Sequence, residues 1–490
     1  VPAEIPLIVP IAVAPDPVEI FQKLGGPDHA YSFLLHSALA GNRLAKYSWV
    51  GTEPFLVLEA KDRQVKITCA GRTEACTADP LSILKEILAG FHLPATGVPL
   101  PFWGGAAGYF SYDLGRQLEV IPAIADDDLK LPDLLLGFYD IIVTINHLTG
   151  KVYICSTGLP YKGYAGFRHA EQQAAKTAAV LKQARPAVSC FNPNDNKVNC
   201  KKCTPNILPR ELAGTSQSMH SHFSRESYCL AVKRVKEYIA AGDVFQVNLS
   251  QRFSADFSAS PWTLYRCLSC MNPAPFAAYL QFPGLNVVSA SPERFLKVTG
   301  RQVETRPIKG TRPRGKNPAS DRSLRQELWN SAKDRAELTM IIDLERNDLG
   351  RVCETGSVRV PELFRLEEYA TVFHLVSTVT GTLAPGRDTI DLLKATFPGG
   401  SITGAPKIRA MEIIEELEPV RRGIYTGSIG WIGYQGNADL NIVIRTFIVK
   451  GNRVYFQAGG GITADSAPEA EYEETLDKAE ALFRALNCIR

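Results

Sequence analysis

The stretch Ala277-Ala278-Tyr279-Leu280-Gln281-Phe282-Pro283-Gly284-Leu285-Asn286-Val287-Val288-Ser289 decides the fold class. Two β-rich runs, Ala277–Phe282 and Val287–Ser289, flank a short turn, and a third, Phe295–Thr299, follows closely. Such a turn leaves no room for a helical crossover, so the runs pair antiparallel. Outward from this stretch, strands are expected at Val244–Phe253, Ile424–Ile432, Leu440–Val449 and Val454–Ala458. Helices are expected at Arg225–Ala241, which stops at Gly242, through Leu328–Leu344, at Ile408–Leu417 and at Ala467–Leu486. Strand pairs with helices in separate blocks predict an α+β fold built on antiparallel sheets, not a parallel βαβ array.

The first part of the chain repeats that texture. Ser32–Ser37, Phe55–Leu58, Val65–Thr68, Ile141–Asn146 and Val152–Cys155 read as strands, and Leu81–Leu88 and His169–Gln183 as helices. From Arg185 to about Ser224 the sequence becomes rich in Pro, Asn, Ser and Lys, which marks a linker or long excursion. This predicts an N-terminal lobe over residues 1–185, a linker over 186–224 and a second domain over 225–490.

Charge excludes some partners. Fifty-four basic and 51 acidic residues leave a net charge of +3, too balanced to favour nucleic acid or an anionic membrane. No apolar run approaches the ~20 residues of a membrane span. The apolar start, Val1 to Pro17, has no basic leader region and is not expected to be a signal peptide. Eleven cysteines, scattered and odd in number, fit reduced cytoplasmic thiols. The pairs Cys200/Cys203 and Cys267/Cys270 lie too far apart for a zinc ribbon and lack a completing His pair.

Chemistry concentrates in Arg306-Pro307-Ile308-Lys309-Gly310-Thr311-Arg312-Pro313-Arg314. Three arginines beside Lys309 disfavour its ammonium form, and burial would lower its pKa further. A neutral lysine is a nucleophile, and Glu293, sixteen residues earlier, could act as a general acid. A solvated basic loop is the competing reading. Two helices carry paired carboxylates at i, i+3: Asp334 with Glu337, and Glu471 with Glu474, the latter sharing a face with Lys478. Such pairs suit Mg²⁺, which takes one or two carboxylates and keeps several waters. Salt bridges to Arg335 or Lys478 would satisfy them equally. The Gly-rich run Phe397–Lys407 opens a helix and could cradle an anion, or be a plain turn. Arg445 lies in an apolar run and needs an anionic partner.

These residues, with Gly242–Arg252, Ser291–Phe295, Asp343–Arg351, His374–Thr378, Pro398–Lys407 and Glu469–Lys478, make the chain resemble the chorismate-utilising enzymes. That family includes the large subunits of anthranilate synthase and aminodeoxychorismate synthase. Phe33-Leu34-Leu35-His36-Ser37 and Tyr109-Phe110 carry the resemblance into the first half. It implies two large antiparallel sheets packed as a sandwich with helices outside. Lys309 in Pro-Ile-Lys-Gly-Thr, and His36 where anthranilate synthases usually have Glu, imply the branch that aminates chorismate at C4 for p-aminobenzoate and folate synthesis. Leu338 departs from the family, where His or Asn is common.

The resemblance further implies that Lys309 attacks C2, Glu293 protonates the leaving hydroxyl and His374 lies near the ring. Gln246, Gly310, Thr311, Gly400, Ser401, Tyr425, Arg445, Gly459, Gly460, Gly461 and Lys478 would bind chorismate. Glu337 and Glu474 would hold Mg²⁺, with Asp334 and Glu471 assisting through water. Ser37, Lys46, Tyr47, Pro275 and Phe276 would form a tryptophan pocket. Ammonia would come from a separate class I glutaminase subunit, because no cysteine here stands on a glycine-flanked elbow. Two alternatives are an anthranilate synthase large subunit and a tryptophan-sensing protein without catalysis. The intact carboxylate set argues against the second.

Overall fold

Phe276–Phe282 and Leu285–Ser291 form the expected antiparallel hairpin, with Phe282 opposite Leu285. Pro283 and Gly284 make the turn, and Gly284 has φ 70°, a left-handed conformation that glycine adopts without strain. The computed structural model describes residues 5–39, 41–94, 100–183, 219–368 and 372–489. Most of the expected linker, including Cys200 and Cys203, lies outside the described residues. At its far end, His220–Ser221 pairs with the strand Gln246–Asp256.

The hairpin sits in the middle of one of two twelve-stranded sheets. On one side of it, in order, stand Ser32–His36, Tyr47–Gly51, Ile141–Asn146, Lys151–Ser156 and Leu7–Ile11. On the other side stand Thr446–Lys450, Arg453–Ile462 and Gln246–Asp256. The second sheet runs from Ile308–Pro313 through Val372–Thr382, Gln302–Arg306, Arg294–Thr299, Ala438–Asn441 and Ser428–Gly433. It continues into Gly105–Phe110, Leu134–Tyr139, Leu56–Lys61, Gln64–Cys69 and Arg72–Thr77. Both sheets therefore join strands from either side of residues 186–224.

Three cores explain the layering. Phe33, Trp49 and Leu280 of the first sheet pack against Tyr109, Leu135 and Trp431 of the second, filling the space between them. The outer face of the first sheet is covered by helices Pro261–Met271 and Pro468–Cys488, through Trp262, Leu268, Leu482 and Leu486. The outer face of the second is covered by Pro80–Gly90, Ala332–Gly350 and Thr389–Thr396, through Leu84, Ile342 and Leu393. This is a sandwich with helices outside, as expected.

Several expected elements are interrupted where the chain must change direction. The helix through Leu328–Leu344 is two helices, Pro318–Asn330 and Ala332–Gly350. Ser331, with φ −65° and ψ 104°, ends one, and its hydroxyl accepts the Asp334 N–H to cap the next. The strand Leu440–Val449 is two strands, because residues 442–445 pass from the second sheet to the first. Arg445 is thus not a strand residue; it stands at φ 52°. The strand Ile424–Ile432 begins only at Ser428. Pro292-Glu293 makes the opposite crossing, between Leu285–Ser291 and Arg294–Thr299. The two crossings lie side by side: Ile442 N–H donates to Glu293 O at 3.0 Å, and the Ser291 hydroxyl donates to Ile442 O.

Candidate active site

The site gathers at these crossings. Lys309 lies on the strand Ile308–Pro313, not on a loop. Its pairing with Val372–Thr382 slips between Lys309 and Thr311, and Gly310 at φ 76° takes up the bulge. A Cβ at Gly310 would stand 2.9 Å from Asp334 Cγ, so glycine also lets the acidic helix approach. Lys309 Nζ donates to Ser401 O at 3.1 Å. The same carbonyl accepts from Asn248 Nδ2 at 2.9 Å. Asn248 lies within the matched run Gly242–Arg252, yet its role was not anticipated; its amide side chain was the available signal.

The reason expected for the lowered lysine pKa is half right. Burial lowers it, opposed by Glu337 and assisted by Lys478, with Glu293 and Glu474 opposing more weakly. The three arginines are not the cause: none is among the groups acting on the amine, and each has its own carboxylate. Arg306 Nη2 binds Glu367 at 2.7 Å, Arg312 Nε binds Glu327 at 2.6 Å and Arg314 Nη2 binds Asp321 at 2.7 Å.

Glu293 is 5% exposed, and its Oε1 has no hydrogen-bond partner. Burial raises its pKa, against the pull of Ser401, Lys309 and Ile308 N–H. A carboxyl whose pKa is raised in this way is better suited to act as a general acid. His374 is 3% exposed, and burial pushes its pKa down to about 3, so the ring is neutral. Its Nδ1 lies 2.9 Å from Thr311 Oγ1. Gln246 is fully buried with both amide atoms unpartnered, and a Cβ at Gly461 would overlap its side chain.

The two carboxylate pairs face the same space. Burial raises the Glu337 pKa, with Asp334 and Glu474 adding to the rise. Burial also raises Glu471, whose Oε1 accepts from the Ser466 hydroxyl at 2.6 Å. Burial pushes Glu474 up too, but Lys478, 2.6 Å away, outweighs it and leaves the pKa low. A Cβ at Gly460 would stand 3.2 Å from Glu471, 3.3 Å from Glu474 and 3.5 Å from Lys478, so the glycine opens the backbone to all three. Among the described residues, no group of three or more His, Cys, Asp or Glu side chains is gathered as a metal cage. The donors are nevertheless hard oxygens in mutual repulsion, bridged by Lys478 and by Lys333 at 3.9 Å from Glu337. That chemistry fits a hard divalent cation.

The anion-binding candidates divide. The Arg445 side chain has no ion-pair or hydrogen-bond partner among the described residues, and burial lowers its pKa. Gly400 and Ser401 form a single helical turn pressed on Leu344, where a Gly400 Cβ would come within 2.7 Å. Gly459 O accepts from Lys478 Nζ at 2.9 Å. Tyr425 is placed differently, with its ring 5.9 Å from the Arg422 guanidinium. Glu345, absent from the expected set, is buried with Oε2 unpartnered, and burial and Glu293 raise its pKa strongly.

A second concavity of about 460 Å³ lies elsewhere between the sheets. Ser37, Lys46, Tyr47, Pro275 and Phe276 all line it, together with His36, Trp49, Arg294, Trp431 and Asp439. His36 Nδ1 lies 2.8 Å from Tyr265 Oη, and burial pushes its pKa down to about 3. No helix among the described residues is long and apolar enough to cross a membrane.

Residues 43–484 match the family of chorismate binding enzymes. Anthranilate synthase component 1 of Aquifex aeolicus is 40% identical over 98% of this chain and 94% of its own length. Aminodeoxychorismate synthase component 1 of Escherichia coli is 40% identical over 93% of each. Among solved structures, anthranilate synthase component I from Streptococcus pneumoniae superposes with a TM-score of 0.76 at 32% identity, covering 89% of this chain and 92% of that one.

Proposed function

Because this chain belongs to the family of chorismate binding enzymes, we propose that its reaction is the amination of chorismate at C4, giving 4-amino-4-deoxychorismate. Relatives of both reaction types are equally similar, so the choice rests on the site. The observation that carries it is Lys309: a buried amine held by the Ser401 carbonyl, its pKa lowered by burial, in the electrostatic field of the buried Glu293 carboxyl, whose own pKa burial raises.

In this reading the Lys309 amine bonds to C2 of chorismate. The ring double bond shifts, and Glu293 gives its proton to the C4 hydroxyl, which leaves as water. Ammonia then bonds to C4 as the C2–nitrogen bond breaks, which frees Lys309. The Glu293 carboxylate takes the proton that ammonia sheds. Arg445, Lys478 and the backbone at Gly400, Ser401 and Gly459–Gly461 hold the two substrate carboxylates. Gln246 cannot take a proton, so it does not activate water as a competing nucleophile. His374 and Thr311 fix the strand beside the ring. Glu337 and Glu474, with Asp334 and Glu471 behind them, hold Mg²⁺, which when bound supplies positive charge to the ring carboxylate. The cavity at Ser37, Lys46 and Phe276 takes tryptophan as an effector. Ammonia comes from a class I glutaminase subunit in the cytoplasm, a pairing that the "component 1" names of the relatives support.

Incubation with chorismate, Mg²⁺ and ammonium at alkaline pH, followed by product identification, tests the reading. 4-Amino-4-deoxychorismate is the expected product. Anthranilate as the main product would assign the chain to the other branch, and isochorismate would remove the role given to Gln246.

A further inference from the structure

The turn that lines the effector cavity also reaches the catalytic strands. Residues 37–46 connect Ser32–His36 to Tyr47–Gly51. Ser37, Leu44 and Lys46 from this connection line the cavity. Asn42 sets its shape: the Asn42 side chain accepts from Leu44 N–H at 2.8 Å, and its carbonyl from Ala45 N–H at 3.0 Å. Arg43, next to Leu44, extends across to Arg359–Glu368, a strand of the second sheet.

Its contacts there are specific. Arg43 Nη1 and Nη2 bind the two oxygens of Glu362 at 2.9 and 2.7 Å, and Nε lies 3.0 Å from Glu367 Oε1. The same Glu367 oxygen accepts from Arg306 Nη2 at 2.7 Å. Arg306 and Glu367 are 3% and 8% exposed, so each needs the other's charge. Arg306 Nε also donates to Thr378 Oγ1, which in turn donates to Glu362. Arg306 is three residues before Lys309, and Pro307 O accepts from Ser377 N–H at 3.2 Å. Glu367 pairs in register with His374 and acts on its charge. One exposed arginine therefore completes a charge lattice whose buried members flank the nucleophile and His374.

We propose that Arg43 is a positioning residue, which sets the strand carrying Lys309 through Glu367 and Arg306 and so makes the cavity turn part of the active site. The proposal rests on the reading of Lys309 as nucleophile. Planarity and three hydrogen bonds make the arginine difficult to replace. Without it, the Glu362 and Glu367 carboxylates repel one another with less compensation, and Arg306 is free to turn toward Glu362, already 3.9 Å away.

The test uses the full chain with ammonium as nitrogen source. Arg43→Ala is expected to lower kcat about tenfold while KM for chorismate changes by less than about twofold and Tm is preserved. Arg43→Lys, which keeps the charge but not the fork, should fall between the two. In a cycle with Glu367→Gln, the double variant should be no slower than the slower single variant, since both act through one lattice. If Glu367→Gln does not fold, the comparison of alanine and lysine at position 43 decides. A second readout needs no chorismate: the rate at which an acylating reagent modifies Lys309, followed by mass spectrometry, should change in Arg43→Ala. If wild type fails to aminate chorismate, the reaction assignment falls, and the acylation rate still judges Arg43. Unchanged kcat and unchanged acylation would overturn the proposal. So would a loss of Tm that accounts for all the lost activity.

Discussion

The cavity at Ser37 and the cleft at Lys309 are both built from strands of two sheets, but they keep their polar groups differently. In the cavity, Arg294 is held by Asp439 at 2.9 Å and Glu304 at 2.7 Å, and His36 by Tyr265. Its buried atoms without partners are neutral indole nitrogens, Trp49 Nε1 and Trp431 Nε1. In the cleft the unpartnered atoms belong to Glu293, Gln246 and Glu345. Groups of that kind are costly to bury unless a ligand uses them. The cavity therefore satisfies its charged groups from its own walls, whereas the cleft leaves carboxyl and amide groups for a ligand to use.

That contrast can be broken most sharply at Lys309. Lys309→Ala should lower kcat by about 10³-fold or more with no loss of Tm, because it removes a buried amine held by one carbonyl. Loss of Tm with retained turnover would make Lys309 a structural residue. The mirror experiment is Trp431→Ala in the cavity wall. Trp431 is 3% exposed and stacks on Phe102 at 4.6 Å. Its removal should cost about 3 kcal/mol or more of stability, with kcat per folded molecule little changed; a large kcat effect at full stability would join the two sites functionally. Next in size, Glu474→Ala should lower activity about 10²-fold at ordinary Mg²⁺ and raise the Mg²⁺ needed for half-activity. An unchanged Mg²⁺ requirement would return Glu474 to a salt bridge with Lys478.

The smallest effect separates the sites by pH. His36, in the cavity, has its pKa lowered by burial from 6.5 to about 3. The unfolded chain binds the proton first, so stability is fully present above pH 6.5 and is lost as pH falls from 6.5 toward 3. The slope approaches about 1.4 kcal/mol per pH unit for this one group. Denaturant midpoints for wild type and His36→Gln at pH 7.5 and 5 should show a shallower loss in the variant. Equal slopes would mean that His36 is protonated in the folded protein.

Local pattern revealed much of this molecule. Arg225–Ala241 was found to the residue, because Ser224 caps it and Gly242, at φ 84°, ends it. The hairpin at Pro283-Gly284 was equally clear. What local pattern missed depends on the other sheet. Gly105–Phe110 and Leu134–Tyr139 are buried on both faces and show no alternation. Ile442–Arg445 looked like strand because its apolar residues are buried, yet it crosses between layers. At the site, the lysine, the acid and the carboxylate pairs were visible as residue types at suggestive spacings. The partners of the three arginines, the role of Asn248 and the lattice at Arg43 were not, since each contact joins distant parts of the chain.

Strand order also has a consequence for synthesis. The strands before residue 184 make two separate five-stranded blocks, one ending at Ser32–His36 and the other at Gly105–Phe110. Each block's inner edge waits for a strand made much later, Phe276–Phe282 for one and Ser428–Gly433 for the other. On the ribosome, the second block, complete at Tyr139, must therefore carry an open, wholly apolar edge while residues 140–427 emerge, among them the whole of the strand Ile308–Pro313 that carries Lys309. Open edges of that kind recruit other chains. Chaperone dependence of this protein should thus be greatest in the nascent chain, and should vanish once Ser428–Gly433 has left the exit tunnel.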